Sequence, residues 1–414
     1  MQSTKSAPRS IDTGALASGD GSHSILPRSR SGHPPPGRVA SSYIVPSVPI
    51  IVHIFHEAQA YTRQKCKRGG KMQFGLMSLN DHIEDPNTGE YELDQAGRHR
   101  SFVEQGVLAE EVGFDMVAVG EHHFCDYILS SPPVVLAAIA ERTSTVRLAT
   151  ALTLAANLDP VRMAEDYATV DCLSGGRLEI ALGRGALSLP YDVLGQDTGR
   201  SREIFSESVR ILQRVWTDEC ASYEAEFRPS FKDIRVIPRP VQRPHPPMWI
   251  GAGSSEHSFD FAAELGLRLM IPTIFGPASN FMDNVKRYKD KFLAAGHDPA
   301  NLKIATATHT FVTPDSQDAK KYWYPYYDAY LRWLEGLVAE STVALPLNFQ
   351  AADLIDEPAM CGSPAQVIDM VGKVKEVADM DLHLAMFDLG GLPERDLKQS
   401  IELYGREVIP AFAS

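Results

Sequence analysis

Three polar clusters follow apolar runs in a way that suits chemistry. The first is Glu121-His122-His123, directly after Val117-Ala118-Val119-Gly120. Imidazole titrates near neutral pH, so either histidine can move a proton or hydrogen-bond a developing anion. The residues alone leave two readings open, a catalytic pair and a structural pair satisfied by loop partners. No HExxH spacing and no nearby Asp or Cys at ligand spacing accompany it, so no metal is expected. The second cluster is Gly183-Arg184-Gly185, after Leu178–Leu182. Glycines let a ligand approach the backbone, and a guanidinium clamps a phosphate with two hydrogen bonds. A dinucleotide fingerprint is a poor match, because Leu187-Ser188-Leu189-Pro190 stands where its helix would open. The third is Gly253-Ser254-Ser255, after Met248-Trp249-Ile250-Gly251. Ser254 or Ser255 is a natural N-cap, and the helix start behind it is an anion site. Capping alone also explains these serines. With Arg184 on the neighbouring strand, a phosphate is the better reading. Together the clusters suit a phosphorylated cofactor whose reactive end faces the histidines.

Such clusters need strands that end side by side. Eight short apolar runs supply them: Gln73–Leu79, Met116–Gly120, Val146–Leu154, Leu178–Leu182, Met248–Gly251, Arg268–Ile271, Ile304–Val312 and Leu382–Phe387. Several are apolar throughout, as strands buried on both faces are. Helical periodicity lies between them, over Asp94 to Val112, Pro160 to Leu173, Pro277 to Ala295 and Pro364 to Ala378. It also begins near Arg202, where Phe205, Val209, Leu212 and Trp216 make one stripe. Pro160 and Pro364 suit the first helical position, and Gly113 and Gly266 suit caps. Repeated strand-helix alternation predicts an α/β fold, a single (β/α)8 TIM barrel whose catalytic groups gather at the C-terminal strand ends. The stretch from Val312 to Cys361 exceeds one helix and predicts an insertion before the last strand. Tyr322, Trp323, Tyr324, Tyr326 and Tyr327 within it are read as packing one helix rather than as a lid.

Composition narrows the function. The 414 residues carry a net charge of −13 and are 44% hydrophobic, enough for a large core. Residues 1–71 hold ten Lys/Arg and three Asp/Glu, which is +7, so the remainder carries −20. An acidic body argues against nucleic acid or an anionic membrane as partner. No run reaches the roughly 20 apolar residues of a membrane helix. The five cysteines, Cys66, Cys125, Cys172, Cys220 and Cys361, form no CxxC pair. A reducing, cytoplasmic setting fits them, with Cys125 an ordinary buried thiol. Residues 1–42 are rich in Ser, Gly, Pro and Arg and are expected to be disordered. The leader 1–71 reads either as a mitochondrial-type transit segment or as an extension upstream of a start at Met72, with the second preferred. The barrel domain is then 72–414.

These segments, in their order and spacing, resemble the luciferase-like family of flavin-dependent monooxygenases. The resemblance runs from Met72 to about Phe412. It is carried by Met72-Gln73-Phe74-Gly75, Glu121-His122-His123-Phe124, Asp159–Asp166, Asp171–Arg177, Gly183-Arg184-Gly185, Pro247-Met248-Trp249-Ile250 and Gly362-Ser363-Pro364. It implies that His122 is the active-site histidine, assisting the flavin's reaction with oxygen. It implies that Arg184 holds the flavin phosphate with Gly253, Ser254, Ser255 and Ser258. Ala151-Leu152 would line the flavin ring, where the family often has a cis peptide. The cofactor implied is reduced FMN delivered by a separate flavin reductase, the substrate a small organic molecule, and the assembly a homodimer. Two features depart from the pattern. Ala155–Pro160 lacks the proline and histidine often seen before the helix that Pro160 opens, and Gly183 stands where true luciferases carry a reactive cysteine, so light emission is not expected. Two other readings remain at this point: a deazaflavin-dependent oxidoreductase of the same superfamily, and a non-catalytic flavin-binding or partner subunit.

Overall fold

The computed structural model describes residues 71–253, 255–339 and 350–413. The expected leader, apart from Lys71, and the expected cap Ser254 lie outside the described residues. All eight expected strands form: β1 (Gln73–Ser78), β2 (Met116–Val119), β3 (Arg147–Thr150), β4 (Leu178–Gly183), β5 (Met248–Gly251), β6 (Arg268–Pro272), β7 (Ile304–Val312) and β8 (Leu382–Met386). Each pairs in parallel with the next, and β8 closes on β1. The result is a closed (β/α)8 barrel. The run Val146–Leu154 is not one strand. β3 stops at Thr150, the Ala151–Leu152 peptide is cis, and Thr153–Leu154 then pairs with Leu182 and Gly183.

The helices are α1 (Gln95–Glu111), α2 (Pro132–Arg142), α3 (Pro160–Leu173), α4 (Ser201–Thr217), α5 (Glu256–Glu264), α6 (Met282–Ala294), α7 (Ala319–Ala339), α8 (Pro364–Ala378) and α9 (Glu394–Leu403), and all but α2 and α9 fall on segments read as helical from the sequence. Asp94 caps α1 through Gly97 N–H at 2.7 Å, and Asp159 caps α3 with Pro160 inside its first turn. A six-residue helix, Leu189–Leu194, does open after Ser188, where none was expected. A short antiparallel hairpin, Ala221–Tyr223 with Phe231–Ile234, had no sequence signal.

Side-chain alternation sorts the barrel's two faces. Gly75 and Leu384 are register partners, and a side chain on Gly75 would strike Leu384 Cδ2 at 2.4 Å. They face inward. Phe74 and His383 face outward, packing their rings against Tyr404 of the C-terminal helical segment. Along β7, Thr306 is the register partner of His383, so Thr306 and Thr308 face outward. Their hydroxyls each lie 3.2 Å from a His383 ring nitrogen. Ala307 pairs with Leu384 and His309 with Met386, so these two face inward.

The insertion before β8 builds α7 and a three-residue strand, Met360–Gly362, parallel to the end of β7. The aromatic side chains of α7 divide as an amphipathic helix requires. Trp323, Tyr326, Tyr327 and Tyr330 are buried, while Tyr322 and Tyr324 are exposed. Trp323 stacks between Phe311 and Tyr327, with centroids at 5.8 and 4.4 Å. The helix also reaches beyond β7. Tyr330 and Tyr127 hydroxyls meet at 2.7 Å, and Trp333 Nε1–H donates to Asp126 at 3.1 Å. So α7 packs as one helix, and in doing so it spans from β7 to the loop after β2.

Candidate active site

At the end of β2, Glu121 is buried and both its oxygens are engaged. Leu154 N–H donates to Oε2 at 3.2 Å, and His123 Nε2 lies 2.8 Å from Oε1. Glu121 thereby ties the β2 loop to the segment after β3. His123 is thus the member of the pair held by Glu121. His122 makes no such bond. Its ring lies against Tyr127, with centroids 4.6 Å apart, and its backbone N–H donates to the Leu129 carbonyl at 3.1 Å. Burial, with His123 beside it, lowers the His122 pKa to about 4. It is therefore a neutral imidazole at pH 7, able to accept a proton or share one. Cys125 nearby is not activated, since burial raises its pKa.

Arg184 leaves β4 two residues beyond Leu182, which pairs with Ile250 of β5. The same register places Ala252 beside it at the end of β5. The Arg184 guanidinium donates to Ser201 Oγ at 3.3 Å and has no carboxylate within ion-pairing distance among the described residues. Its backbone carbonyl accepts from the Tyr191 hydroxyl. Arg184, Gly185, Leu187, Thr198, Gly199 and Ser201 border a cavity of about 470 Å³. Ser201 opens α4, so the positive end of that helix's dipole lies at the same cavity, although the Ser201 N–H is itself taken by the Thr198 carbonyl. Ser201 was not anticipated from the sequence. Placing the helix near Arg202 was the available signal, one residue away.

The serines after β5 are placed less decisively. Ser255 is the N-cap of α5, and its side chain makes no capping hydrogen bond. Ser258 lies in the first turn, where its N–H donates to the Ser255 carbonyl at 3.0 Å. Gly253 precedes them with open space where a side chain would stand. None of the three borders the Arg184 cavity, and Ser254 is outside the described residues.

Ala151 and Leu152 sit between the two clusters. A side chain on Gly183 would meet Leu152 Cδ1 at 2.7 Å, and one on Gly251 would meet it at 2.3 Å. Those glycines make room for Leu152 over the ends of β4 and β5. The missing cysteine at position 183 thus has a packing reason.

A buried charge cluster at the ends of β1 and β8 was not foreseen. Arg98 Nη1–H donates to Glu394 at 2.9 Å, and Nη2 lies 3.3 Å from Asp81 and 3.6 Å from Asp388. Ser78 donates to Asp388, and Gly390 N–H to Asp81 at 2.7 Å. Burial raises the pKa of both aspartates. Its members come from positions up to about three hundred residues apart, so no local pattern could reveal it. Within the barrel, the inward His309 was also missed. It lay in a run read only for its apolar character.

The sequence profile of the family described as luciferase-like monooxygenase matches residues 72–379. The chain belongs to that family. Among curated proteins it is 27% identical to the oxygenase component of a flavin-dependent trigonelline monooxygenase from Acinetobacter baylyi. That alignment covers 83% of this chain and 96% of the relative. Among solved structures, monooxygenase RslO1 from Streptomyces bottropensis superposes with a TM-score of 0.74 at 25% identity, over 83% of this chain and all of that one. Two more distant structures share the fold at a TM-score of 0.67. The oxygenating constituent of 3,6-diketocamphane monooxygenase from Pseudomonas putida, in complex with FMN, is 18% identical over 82% of this chain and 98% of that one. An F420-dependent secondary alcohol dehydrogenase is 20% identical over 83% of this chain and all of that one. The fold is therefore common to FMN and deazaflavin enzymes. Among the described residues, no helix is long and apolar enough to cross a membrane, and no cluster of metal-ligating side chains occurs.

Proposed function

We propose that this chain is the oxygenase component of a two-component monooxygenase, using reduced FMN from a separate reductase and molecular oxygen on a small organic substrate. The observation that carries the proposal is the Arg184 cavity. It offers a guanidinium with no carboxylate partner, a hydroxyl 3.3 Å away and the start of a seventeen-residue helix. That donor set fits a phosphate dianion and has no use for a neutral ring. Arg184 and Ser201 would hold the phosphate, with Gly253, Ser255 and Ser258 reached from the end of the adjacent strand. Ala151 and Leu152 would form the wall behind the flavin ring.

Bound reduced FMN supplies two electrons and activates oxygen for insertion into the substrate. The chain's own residues do the rest. His122, neutral and half-buried, accepts or shares a proton at the reacting end. Glu121 and His123 fix the loop that carries it. Tyr127 and α7 keep water from the mouth. A homodimer, expected from the family resemblance, belongs to this proposal, and light scattering on the purified protein would report it.

Equilibrium titration with FMN and riboflavin tests the proposal. FMN should bind more tightly than riboflavin, and Arg184→Ala should weaken FMN by about 1.5–3 kcal/mol, the scale of a charged hydrogen bond. Riboflavin affinity should not change in that variant. Equal affinity for the two flavins in the parent protein would show that the cavity does not hold the phosphate.

A further inference from the structure

The inner face of β7 carries two small residues, Ala305 and Ala307, and then His309. His309 is fully buried. Four aromatic side chains define its surroundings and continue toward His122. Phe275, Tyr327 and Tyr330 present to the His309 ring at centroid distances of 5.8, 5.5 and 5.2 Å, all nearly perpendicular. Tyr330 then meets Tyr127, and Tyr127 lies against His122. An aromatic wall thus links the inward face of β7 to the proposed oxidation site.

The protonation state of His309 follows from its neighbours. Burial alone lowers its pKa to about 3, so the ring is neutral. Its Nδ1 lies 3.0 Å from the Tyr327 hydroxyl. Among the described residues that hydroxyl has no other hydrogen-bond partner. A buried phenol must donate its proton, and Nδ1 is the acceptor within reach. A neutral imidazole that accepts at Nδ1 carries its own proton on Nε2. That Nε2 is buried and has no hydrogen-bond partner among the described residues. A buried donor left unsatisfied destabilises the fold, which marks it as a position awaiting an acceptor.

We infer that His309 Nε2–H anchors the substrate by donating a hydrogen bond to a carbonyl oxygen, on a molecule whose planar aromatic body packs against Tyr127, Tyr330 and Phe275. The substrate class is an aromatic carbonyl compound. Tyr327 acts as a positioning residue, holding the imidazole in the donating tautomer. The inference rests on the reading of the barrel mouth as the oxidation site. It adds which chemical class that site accepts and which end of the substrate is held away from His122.

Equilibrium dialysis of the full-length protein against 2-acetonaphthone and 2-ethylnaphthalene provides the test. The two probes share a body and differ by the carbonyl. The wild-type protein should prefer 2-acetonaphthone by about tenfold, the effect of one hydrogen bond. His309→Phe should abolish the preference, and His309→Gln, which keeps a donor, should retain most of it. Absence of preference in the wild type, or its persistence in His309→Phe, would overturn the inference. A measurement on the wild type removes dependence on how the variants fold. The nitrogen-15 resonance of His309 Nε2 should move with 2-acetonaphthone and stay fixed with 2-ethylnaphthalene, and identical responses would also overturn the inference. Because no flavin is present, these results stand apart from the oxygenase proposal. That proposal fails separately if no reduced flavin supports oxygen insertion.

Discussion

His122 and His123 are adjacent in sequence and differ in circumstance. His123 holds Glu121, while His122 lies against Tyr127 with its ring nitrogens free of any protein hydrogen bond among the described residues. The lowered pKa of His122, about 4, has two consequences. Its NMR titration midpoint should fall near 4, and His123→Gln should raise it, because a neighbouring positive charge is removed. A midpoint near 6.5 in the wild type would contradict the burial described. A histidine with depressed pKa favours the fold fully above its unfolded value of about 6.5, and that contribution is lost as pH falls toward 4. For catalysis, His122→Ala should leave FMN affinity intact and cut turnover by roughly 10²–10⁴-fold, the usual range for an acid–base group. Unchanged turnover would remove the role. The Glu-His-His cluster was visible in the sequence because its three members are contiguous at a strand end. His309 was not, since one imidazole inside an apolar strand has no local signature. Its importance depends on α7, an element whose path no pattern predicts.

The elements were the most legible level, for a physical reason. Strands buried on both faces must be apolar throughout, and prolines and glycines mark helix ends. What escaped were the pieces stabilised by tertiary contact, the hairpin after α4 and the strand Met360–Gly362; the cis peptide at Ala151–Leu152 was implied by the family resemblance, although the run Val146–Leu154 had read as one strand. Two predictions belong here. Gly390 has a φ of +68°, and a side chain there would stand 1.9 Å from the Tyr326 carbonyl oxygen on α7. Gly390→Ala should therefore cost more than the roughly 1 kcal/mol of ordinary left-handed strain, as read by urea denaturation. A loss below 0.5 kcal/mol on the order of surface substitutions would show that α7 does not press on that loop. Arg98→Leu leaves Asp81, Asp388 and Glu394 without their shared cation. It should destabilise the protein by about 3–5 kcal/mol at neutral pH. The deficit should shrink toward acid, because the buried aspartates take up protons readily. A deficit independent of pH would contradict the charge account.

At the scale of the molecule, the acidic body and one cationic cavity are complementary facts. A net charge of −13 keeps anions away in general, so on the proposed reading a phosphate would be held where Arg184 and the start of α4 converge. The closed barrel brings that cavity, the Leu152 wall and His122 to the same rim. Sequence reading reached the rim because active sites of such barrels lie at strand C-termini. It did not reach the substrate, whose proposed contacts come from α7 and from inward strand positions. The cofactor is the central claim, since the same fold serves FMN and deazaflavin enzymes. Mass spectrometry under oxygen-18 gas decides it most directly, with a panel of aromatic ketones and aldehydes and either reduced FMN or reduced deazaflavin as electron donor. The account predicts one oxygen-18 atom in the product with reduced FMN and none with the deazaflavin. Unlabelled product formed with the deazaflavin alone would contradict it.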